Sequence, residues 1–336
     1  MKKIVFLLIP LIFILESCKD KDPSSSLPNV TGRAGEVVLV IDNDYWNAEI
    51  GQEFKKRFIA SCPALPQDEP MFDLTHIPHS AFTNIFKTHR TLVAVKVNKS
   101  YKEPQIAVQK NIWAKPQMII NVVAPNEEEL LELIRKRGDI IVERILEKEM
   151  ERYAQGYKKF EEITIGDRLE EKFGYRLTVP RGYSLDVDTT DFVWIESRGH
   201  GDLTQGILVY SYPMPEIELS TGLIFAKRDQ FTKRFVPGPS RNSYMAVEHE
   251  TDYLRRKINV NGIDIIETRG LWHVRNDFMG GPFVTFTIVD NEDNRVLNFD
   301  AFVYAPQFKK RDYLRQLEAI LYTLQKPKKD NNESAD

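Results

Sequence analysis

The pattern of apolar and polar positions predicts strands and helices mixed along the whole chain. A short apolar run rich in β-branched residues, GEVVLVIDND (35–44), is bounded by glycine and acids, which is typical of a buried strand. The following segment places Trp46, Ile50, Phe54 and Phe58 about one helical turn apart, so it predicts a helix with one apolar face. This strand and helix predict the start of an α/β arrangement.

The rest of the first half continues in the same way and ends in a long helix. Strands are predicted at 91–98 and twice within 105–125. Asn126 is a natural N-cap, and three glutamates follow it where the helix dipole favours negative charge. Gly138 lies in the middle of this helix and predicts a kink or a break.

The second half predicts mainly strands and hairpins with a helix at its centre and another at its end. Turn residues predict hairpins about Asn261-Gly262 and about NEDN (291–294). The other predicted elements are strands within 175–185, 191–197 and 205–213, a helix over 222–235 and an amphipathic helix over 310–324. The predicted fold is α+β, with an N-terminal α/β domain (35–163), a C-terminal α+β domain with a mainly antiparallel sheet (164–326) and a disordered tail (327–336). Both domains are expected to be sandwich-like.

The first residues predict export and attachment to a membrane. Lys2 and Lys3 precede an apolar run, 4–15, which as a helix spans roughly 18 Å against a bilayer core of about 30 Å. Its length favours a signal peptide (1–17). LESC resembles a bacterial lipobox, although Glu16 departs from the usual small or aliphatic residue, so Cys18 is the predicted lipidation site. The alternative is an ordinary signal peptide that is cleaved elsewhere.

A lipidated cysteine would place the protein in the cell envelope. Two acyl chains suffice for stable anchoring, so we expect attachment to the outer membrane, on its periplasmic face or at the cell surface. The serine- and proline-rich segment 18–34 is the predicted flexible tether. If Cys18 carries lipid, Cys62 has no disulfide partner in the chain, so no internal disulfide is expected, and Cys62 is interpreted as a small buried hydrophobe.

The charge balance excludes one class of partner. The formal net charge is −3 and the sequence pI is about 6.2. Nucleic-acid binding requires a basic stripe, so no nucleic-acid partner is expected.

Two resemblances extend these expectations. GEVVLVIDNDYW, LPQDEPMFDL, QGILVYSYP, GPSRNSYM, RGLWHVRNDFMGGPFV and FVYAPQFKKRDYLRQLEAILYTL resemble a Bacteroidetes lipoprotein family of unknown function (the DUF4837 type), over nearly the whole mature chain. That family has no established activity. The order of elements over about 170–325 is similar in topology to PsbP/Mog1-like domains. This second resemblance implies an α/β/α sandwich with a binding or assembly role.

One segment has the appearance of a catalytic motif. Asp42 and Asp44 follow a hydrophobic strand, as in the first motif of haloacid-dehalogenase phosphatases, but Trp46 replaces the expected Thr or Val. The other interpretation is that both aspartates form a polar turn that caps the helix from Tyr45. The alternative function is therefore a periplasmic or surface metal-dependent, phosphatase-like hydrolase that uses Asp42 and Asp44. No complete catalytic or metal motif is found, so a cofactor is not expected and an enzymatic role is less favoured than a binding role.

The best candidate contact surface is the segment 269–284. It combines Trp272, His273, Arg275 and Phe278 with two glycines. Because strand residues alternate between faces, Trp272 is expected in the core and Arg275 at the surface. Trp46 is a further candidate contact residue. The expected function is a non-catalytic binding or assembly role, with an envelope protein or a small ligand as the partner.

Overall fold

The computed structural model describes residues 27–327, and it confirms an α+β fold. These residues form two β-sheets, one mixed and one antiparallel, and seven α-helices. The predicted signal peptide, Cys18 and nearly all of the predicted tail lie outside the described residues. Within 27–327, no helix has both the length and the apolar character needed to cross a membrane.

The first sheet contains five strands in the order β2-β1-β3-β5-β4. Neighbouring strands β2, β1, β3 and β5 run parallel, whereas β4 is an antiparallel edge strand. Their bounds are β1 Glu36–Val40, β2 Asp73–Ile77, β3 Thr91–Val97, β4 Gln105–Lys110 and β5 Met118–Ala124.

Four helices accompany this sheet, and two of them differ from expectation. Their bounds are α1 Asn43–Asn47, α2 Glu49–Phe58, α3 Asn84–Lys87 and α4 Glu127–Lys159. The single helix predicted after β1 is divided at Ala48, whose backbone is extended. The predicted break at Gly138 is wrong, because α4 is continuous through it. A Cβ at Gly138 would lie 2.7 Å from Arg57 Nε, so this glycine permits a close contact with α2.

The main core of this half lies between the sheet and the helices α2 and α4. Phe54 and Phe58 of α2 and Ile134 and Ile141 of α4 are fully buried there. Asn126 caps α4 as predicted, since its side-chain oxygen accepts a hydrogen bond from Glu129 N–H at 2.9 Å. The opposite sheet face has a smaller apolar cluster beneath residues 81–86 and Trp113.

The second sheet is antiparallel and contains eight strands. The main order is β10-β11-β12-β13-β8-β7-β6, and β9 pairs with the far end of β11. The bounds are β6 Ser184–Asp188, β7 Phe192–Arg198, β8 Thr204–Pro213, β9 Tyr244–Val247, β10 Leu254–Val260, β11 Ile263–Arg275, β12 Gly280–Asp290 and β13 Arg295–Tyr304. Both predicted hairpins are confirmed, and Asn261 and Gly262 have the positive φ angles of a tight turn.

Helices cover both faces of the second sheet and make three layers. Helices α5 (Ile163–Phe173) and α7 (Arg311–Leu321) pack on one face, and α6 (Thr221–Phe235) packs on the other. The final amphipathic helix is confirmed, because Leu317 and Ile320 are buried against the sheet.

Helix α7 also connects the two sheets. It contacts α4, and its Arg311 binds Asp73 of β2, with Nη2 and Oδ2 2.9 Å apart. Glu69 accepts backbone hydrogen bonds from Lys310 and Arg311 at 2.6 and 3.1 Å. A carboxylate distant in sequence therefore caps the amino terminus of α7, where negative charge is favoured.

Candidate functional site

The predicted contact segment forms the end of β11, a turn and the start of β12. Phe278 in the turn is fully exposed, and Arg275 is exposed at the end of β11. Trp272 is 2% exposed and packs edge-to-face on Phe302, with ring centroids 5.6 Å apart. The predicted burial of Trp272 and exposure of Arg275 are both confirmed.

The structure joins this turn to the segment GPSRNSYM (238–245). Asp277 accepts a hydrogen bond from the Ser240 hydroxyl. The side chain of Asn276 donates to the Asn242 carbonyl at 3.3 Å. The last residues of the loop form β9, which pairs with β11. We name the resulting surface, residues 275–278 with 240–244, the turn surface.

The turn surface presents an aromatic side chain beside positive charge. Arg275 and Arg241 are exposed, and neither forms an ion pair with any carboxylate within residues 27–327. The hydrogen bonds from Ser240 and from the Phe278 N–H hold the pKa of Asp277 below its usual value. His273 is half-buried, with Nδ1 3.1 Å from Glu248 Oε2. The free charge around Phe278 is therefore mainly cationic.

Trp46 lies elsewhere, beside the carboxyl ends of the parallel strands. Its ring stacks on His76 with centroids 4.5 Å apart, and Lys55 Nζ lies 4.1 Å from the ring centroid. The structure therefore places Trp46 in a packed, half-buried position, and it does not bring it to the turn surface.

Asp42 and Asp44 are exposed at the same edge of the first sheet. Asp42 occupies the N-cap position of α1, but its side chain makes no capping bond. Its Oδ1 instead accepts the backbone N–H of His79 at 3.2 Å. The predicted capping role is therefore wrong for Asp42. The two histidines of the neighbouring segment THIPH (75–79) bond to backbone carbonyls. Nε2 of His76 lies 2.8 Å from Ile41 O, and Nε2 of His79 lies 2.7 Å from Val95 O.

The strand order makes this edge of the first sheet a candidate ligand site. Strand β2 lies on one side of β1 and β3 lies on the other, so the strand order reverses beside β1. In open α/β sheets, ligands bind outside the carboxyl ends of the strands at such a point. However, the part of the chain described, 27–327, holds no group of three or more His, Cys, Asp and Glu side chains suited to a metal ion.

A cavity of about 690 Å³ lies between the elements of the two sheets. It is bounded by α4, α7, β10, β11 and the loop between α2 and β2, and we call it the junction cavity. Its apolar lining is Pro63, Met71, Leu146, Met150, Ala154, Leu254, Ile258, Leu314 and Tyr322. Its polar lining is Cys62, Glu143, Glu147, Glu151, Arg256, Asn259, Glu267, Arg269, Arg311, Arg315 and Glu318. Sequence reasoning missed this site because its residues come from five separate segments and form no local motif.

A chain of ion pairs occupies one wall of the junction cavity. Arg256 binds Glu267 through two hydrogen bonds of 3.0 and 2.9 Å. Arg269 connects Glu267 to Glu318, at 2.6 and 2.5 Å. Burial alone would raise the pKa of Glu267, but Arg269 and Arg256 outweigh burial and hold the pKa below its usual value. These carboxylates are already neutralised by arginines.

Two other cavity residues are kept protonated by burial. Burial raises the pKa of the Cys62 thiol, against the opposing effect of Arg315. Burial raises the pKa of Tyr322 to about 12. A thiol with a raised pKa is a poor nucleophile at neutral pH. The predicted burial of Cys62 is only partial, because this side chain is half-buried.

Comparisons with known proteins identify two domains. Residues 162–323 match a family described as "Domain of unknown function (DUF4837)", and residues 30–158 match one described as "Domain of unknown function (DUF8532)". No curated protein matches the chain. A crystal structure from Bacteroides thetaiotaomicron VPI-5482 is similar at 11% identity, over 46% of this chain and 46% of its own, with a TM-score of 0.19. That similarity is too weak to carry an argument.

The expected DUF4837 resemblance spanned nearly the whole mature chain, but the matching family model is confined to residues 162–323. Two families of unknown function are therefore similar to consecutive parts of this chain, DUF8532 to the N-terminal part and DUF4837 to the C-terminal part.

Proposed function

We propose that this protein is a non-catalytic binding or assembly protein of the cell envelope, anchored to the outer membrane by lipid on Cys18. The observation that carries the binding role is the full exposure of Phe278 on the turn surface. Aromatic and arginine side chains dominate the energy of many protein interfaces. A large apolar side chain in water, held by a turn with its own hydrogen bonds, is well prepared for such a contact.

Two finer assignments belong to this proposal. The chain belongs with the Bacteroidetes lipoproteins that its sequence resembles, and its C-terminal half is a PsbP/Mog1-like module. The three-layer arrangement of α5 and α7, the antiparallel sheet and α6 supports the second assignment. Fold alone does not determine function, so the turn surface carries the argument for binding.

The partner is an envelope protein with an acidic or aromatic contact surface. Arg275 and Arg241 favour acidic groups, and Phe278 requires an apolar pocket or a ring to pack against. The net charge of −3 and the sequence pI of about 6.2 argue against nucleic acid as the partner.

Substitutions in the turn surface test the binding role. Phe278→Ser and Arg275→Ala should leave thermal stability nearly unchanged and reduce cross-linking of a partner to the full-length protein in membranes. Trp272→Ala should instead cost about 3 to 5 kcal/mol, because it opens a cavity beside Phe302. Ile85→Ser is the matched control, since Ile85 is 75% exposed on α3. A partner that still cross-links fully to Phe278→Ser would contradict this assignment.

Acylation has a separate test. Cys18→Ser should leave an unprocessed precursor and remove labelling by a clickable fatty acid. Full labelling of that variant would show that Cys18 is not the lipidated residue.

The second candidate function is a metal-dependent hydrolase that uses Asp42 and Asp44. The position of both aspartates beside the carboxyl ends of the parallel strands is the observation that favours it. A phosphatase activity that requires Mg²⁺ and disappears in Asp42→Asn would support this function. Equal phosphatase activity of Asp42→Asn and wild type would contradict the hydrolase function.

A further inference from the structure

We propose that the junction cavity binds a single-chain amphiphile with an anionic head group. This site is separate from the turn surface, and the proposal does not depend on the partner bound there. The cavity combines an extended apolar wall with a buried arginine that has no carboxylate partner among residues 27–327.

The apolar wall suits an alkyl chain. Leu146, Met150 and Ala154 follow each other at four-residue spacing, so they form one stripe along α4. Ile258 of β10 and Leu314 of α7 also line the cavity. The volume of about 690 Å³ lies within the range of roughly 300 to 1,000 Å³ that is usual for small-molecule sites.

Arg315 supplies the positive charge for the head group. Its side chain is 5% exposed, and it forms no ion pair with a carboxylate within residues 27–327. Nη2 donates to the Met71 carbonyl at 2.6 Å, and the guanidinium lies 5.3 Å from the Phe72 ring centroid. Nη1 is buried and has no hydrogen-bond partner in this part of the chain. An uncompensated buried cation is costly, and an anion within the cavity would compensate it.

The other charges of the cavity leave this positive charge available. Arg256 and Arg269 neutralise Glu267 and Glu318. At the rim, Glu147 pairs with Arg144 and Glu151 pairs with Lys148. The carboxylates of Glu147 and Glu151 are exposed, so solvent and salt screen their repulsion of an anion.

The chemistry of a buried guanidinium is shared by two kinds of head group. A carboxylate and a phosphate monoester both accept charge-assisted hydrogen bonds from arginine. The ligand is therefore a fatty acid or a lysophosphatidate, and the same probes can distinguish them.

The experiment uses the full-length protein in nanodiscs of neutral lipid. A diazirine-bearing fatty acid, the fatty alcohol of the same chain and the corresponding lysophosphatidate are cross-linked by light, and the modified peptides are mapped by mass spectrometry. We expect cross-links on peptides that contain Met150 and Ile258. The labelling yield of an anionic probe should be about tenfold higher than that of the alcohol, because one charge-assisted hydrogen bond gives roughly that difference in affinity. The stronger of the two anionic probes identifies the head group.

Three variants separate the head-group contact from the apolar wall. Arg315→Gln should remove the preference for the anionic probe and retain the alcohol signal. Met150→Trp should reduce the signals of all probes by filling the cavity, and Ile85→Trp, on exposed α3, should change none of them. Thermal melting establishes that each variant is folded.

Three results would overturn the proposal. They are equal labelling by acid, phosphate and alcohol in wild type, cross-links confined to peptides outside the cavity, and unchanged labelling in folded Met150→Trp. If Arg315→Gln does not fold, the probe preference of wild type and the Met150→Trp result decide the question.

Discussion

Arg228 and Asp300 form an ion pair with no exposed surface between α6 and the second sheet. Nε and Nη2 of Arg228 donate to the two carboxylate oxygens at 2.8 and 3.0 Å. The guanidinium lies over the Phe283 ring, 4.1 Å from its centroid, and Thr285 donates its hydroxyl hydrogen to Asp300. These contacts satisfy most of the polar atoms, so the pair is tolerated inside an otherwise apolar layer.

The first prediction concerns this buried pair. Asp300→Asn should lower the free energy of unfolding by about 3 to 5 kcal/mol, because it leaves the Arg228 charge buried and uncompensated. The double variant Arg228→Met/Asp300→Leu removes both charges and should be less destabilised than Asp300→Asn. Urea unfolding of the full-length protein measures both. A double variant that is less stable than Asp300→Asn would show that the pair itself is strongly stabilising.

The second prediction concerns acid stability at the wall of the junction cavity. The pKa of Glu267 in the folded protein lies below its ordinary value of 4.5, so the ionised form is favoured by folding. Its contribution is therefore complete above about pH 4.5 and is lost as the pH falls through the lower folded value. The stability difference between wild type and Glu267→Gln should be largest near neutral pH and should narrow below that value. A difference that is constant from neutral pH into the acid range would contradict the depressed pKa.

Single residues differed in how far the sequence predicted them. Burial of Trp272 and exposure of Arg275 followed from strand alternation and from the cost of burying a charge. The same rule would place Arg228 at the surface, but it is completely buried. Its burial depends on Asp300, 72 residues away in sequence, and that contact is set by the packing of α6 on the sheet.

At the scale of elements, α4 carries two glycines with different surroundings. A Cβ at Gly156 would meet no heavy atom within 4 Å, whereas one at Gly138 would approach Arg57 Nε to 2.7 Å. Arg57 cannot move freely, because it bonds to Asp139 and Glu53. Alanine substitutions at the two positions therefore distinguish the effect of helix propensity on stability from the effect of packing.

The third prediction uses these glycines as a matched pair. Gly156→Ala should stabilise the protein by about 0.5 to 1 kcal/mol through helix propensity alone. Gly138→Ala has the same propensity gain, but it must displace the Arg57 side chain, so it should be less stable than Gly156→Ala. Chemical denaturation of the two variants provides the comparison. Equal stabilisation by both would mean that the contact of Gly138 with Arg57 has no energetic weight.

Elements whose pattern is local were predicted well, and elements that depend on a neighbour were not. The hairpin at Asn261-Gly262 is specified by its own turn residues and was found. Strand β9 has no local strand signal, because its four residues follow a polar segment and become a strand only by pairing with β11. The break at Ala48 was missed because the apolar spacing continues across it.

At the scale of the whole molecule, the junction between α4 and α5 is held by several contacts. Glu162 N–H donates to Val179 O at 2.7 Å, and Arg181 N–H donates to Phe160 O at 2.8 Å. Arg176 also pairs with Glu161 at 3.0 Å. The sequence predicts a domain boundary near this junction, and limited proteolysis of it remains the direct test.

The fourth prediction concerns the connection between the two sheets. Glu69→Ala removes both hydrogen bonds to the amino terminus of α7 and should cost about 1 to 2 kcal/mol, as the loss of other helix caps does. Hydrogen exchange should then increase at residues 310–314. Asp68→Ala is the control, because Asp68 is exposed and bonds only locally to Ser61 within the described chain. Unchanged exchange at α7 in Glu69→Ala would contradict the capping role.

The sequence by itself determined the α+β class, most strands and helices, both hairpins and the burial of Trp272, because each depends on the periodicity or turn chemistry of a few neighbouring residues. Only the tertiary structure decided the strand order, the capping of α7 by Glu69, the union of two loops into the turn surface and the junction cavity. These features depend on which distant segments pack together. A local sequence pattern does not show which distant segments will pack against it. In the sequence, Arg315 is therefore an ordinary helical arginine. In the folded chain it is a buried cation beside an apolar cavity.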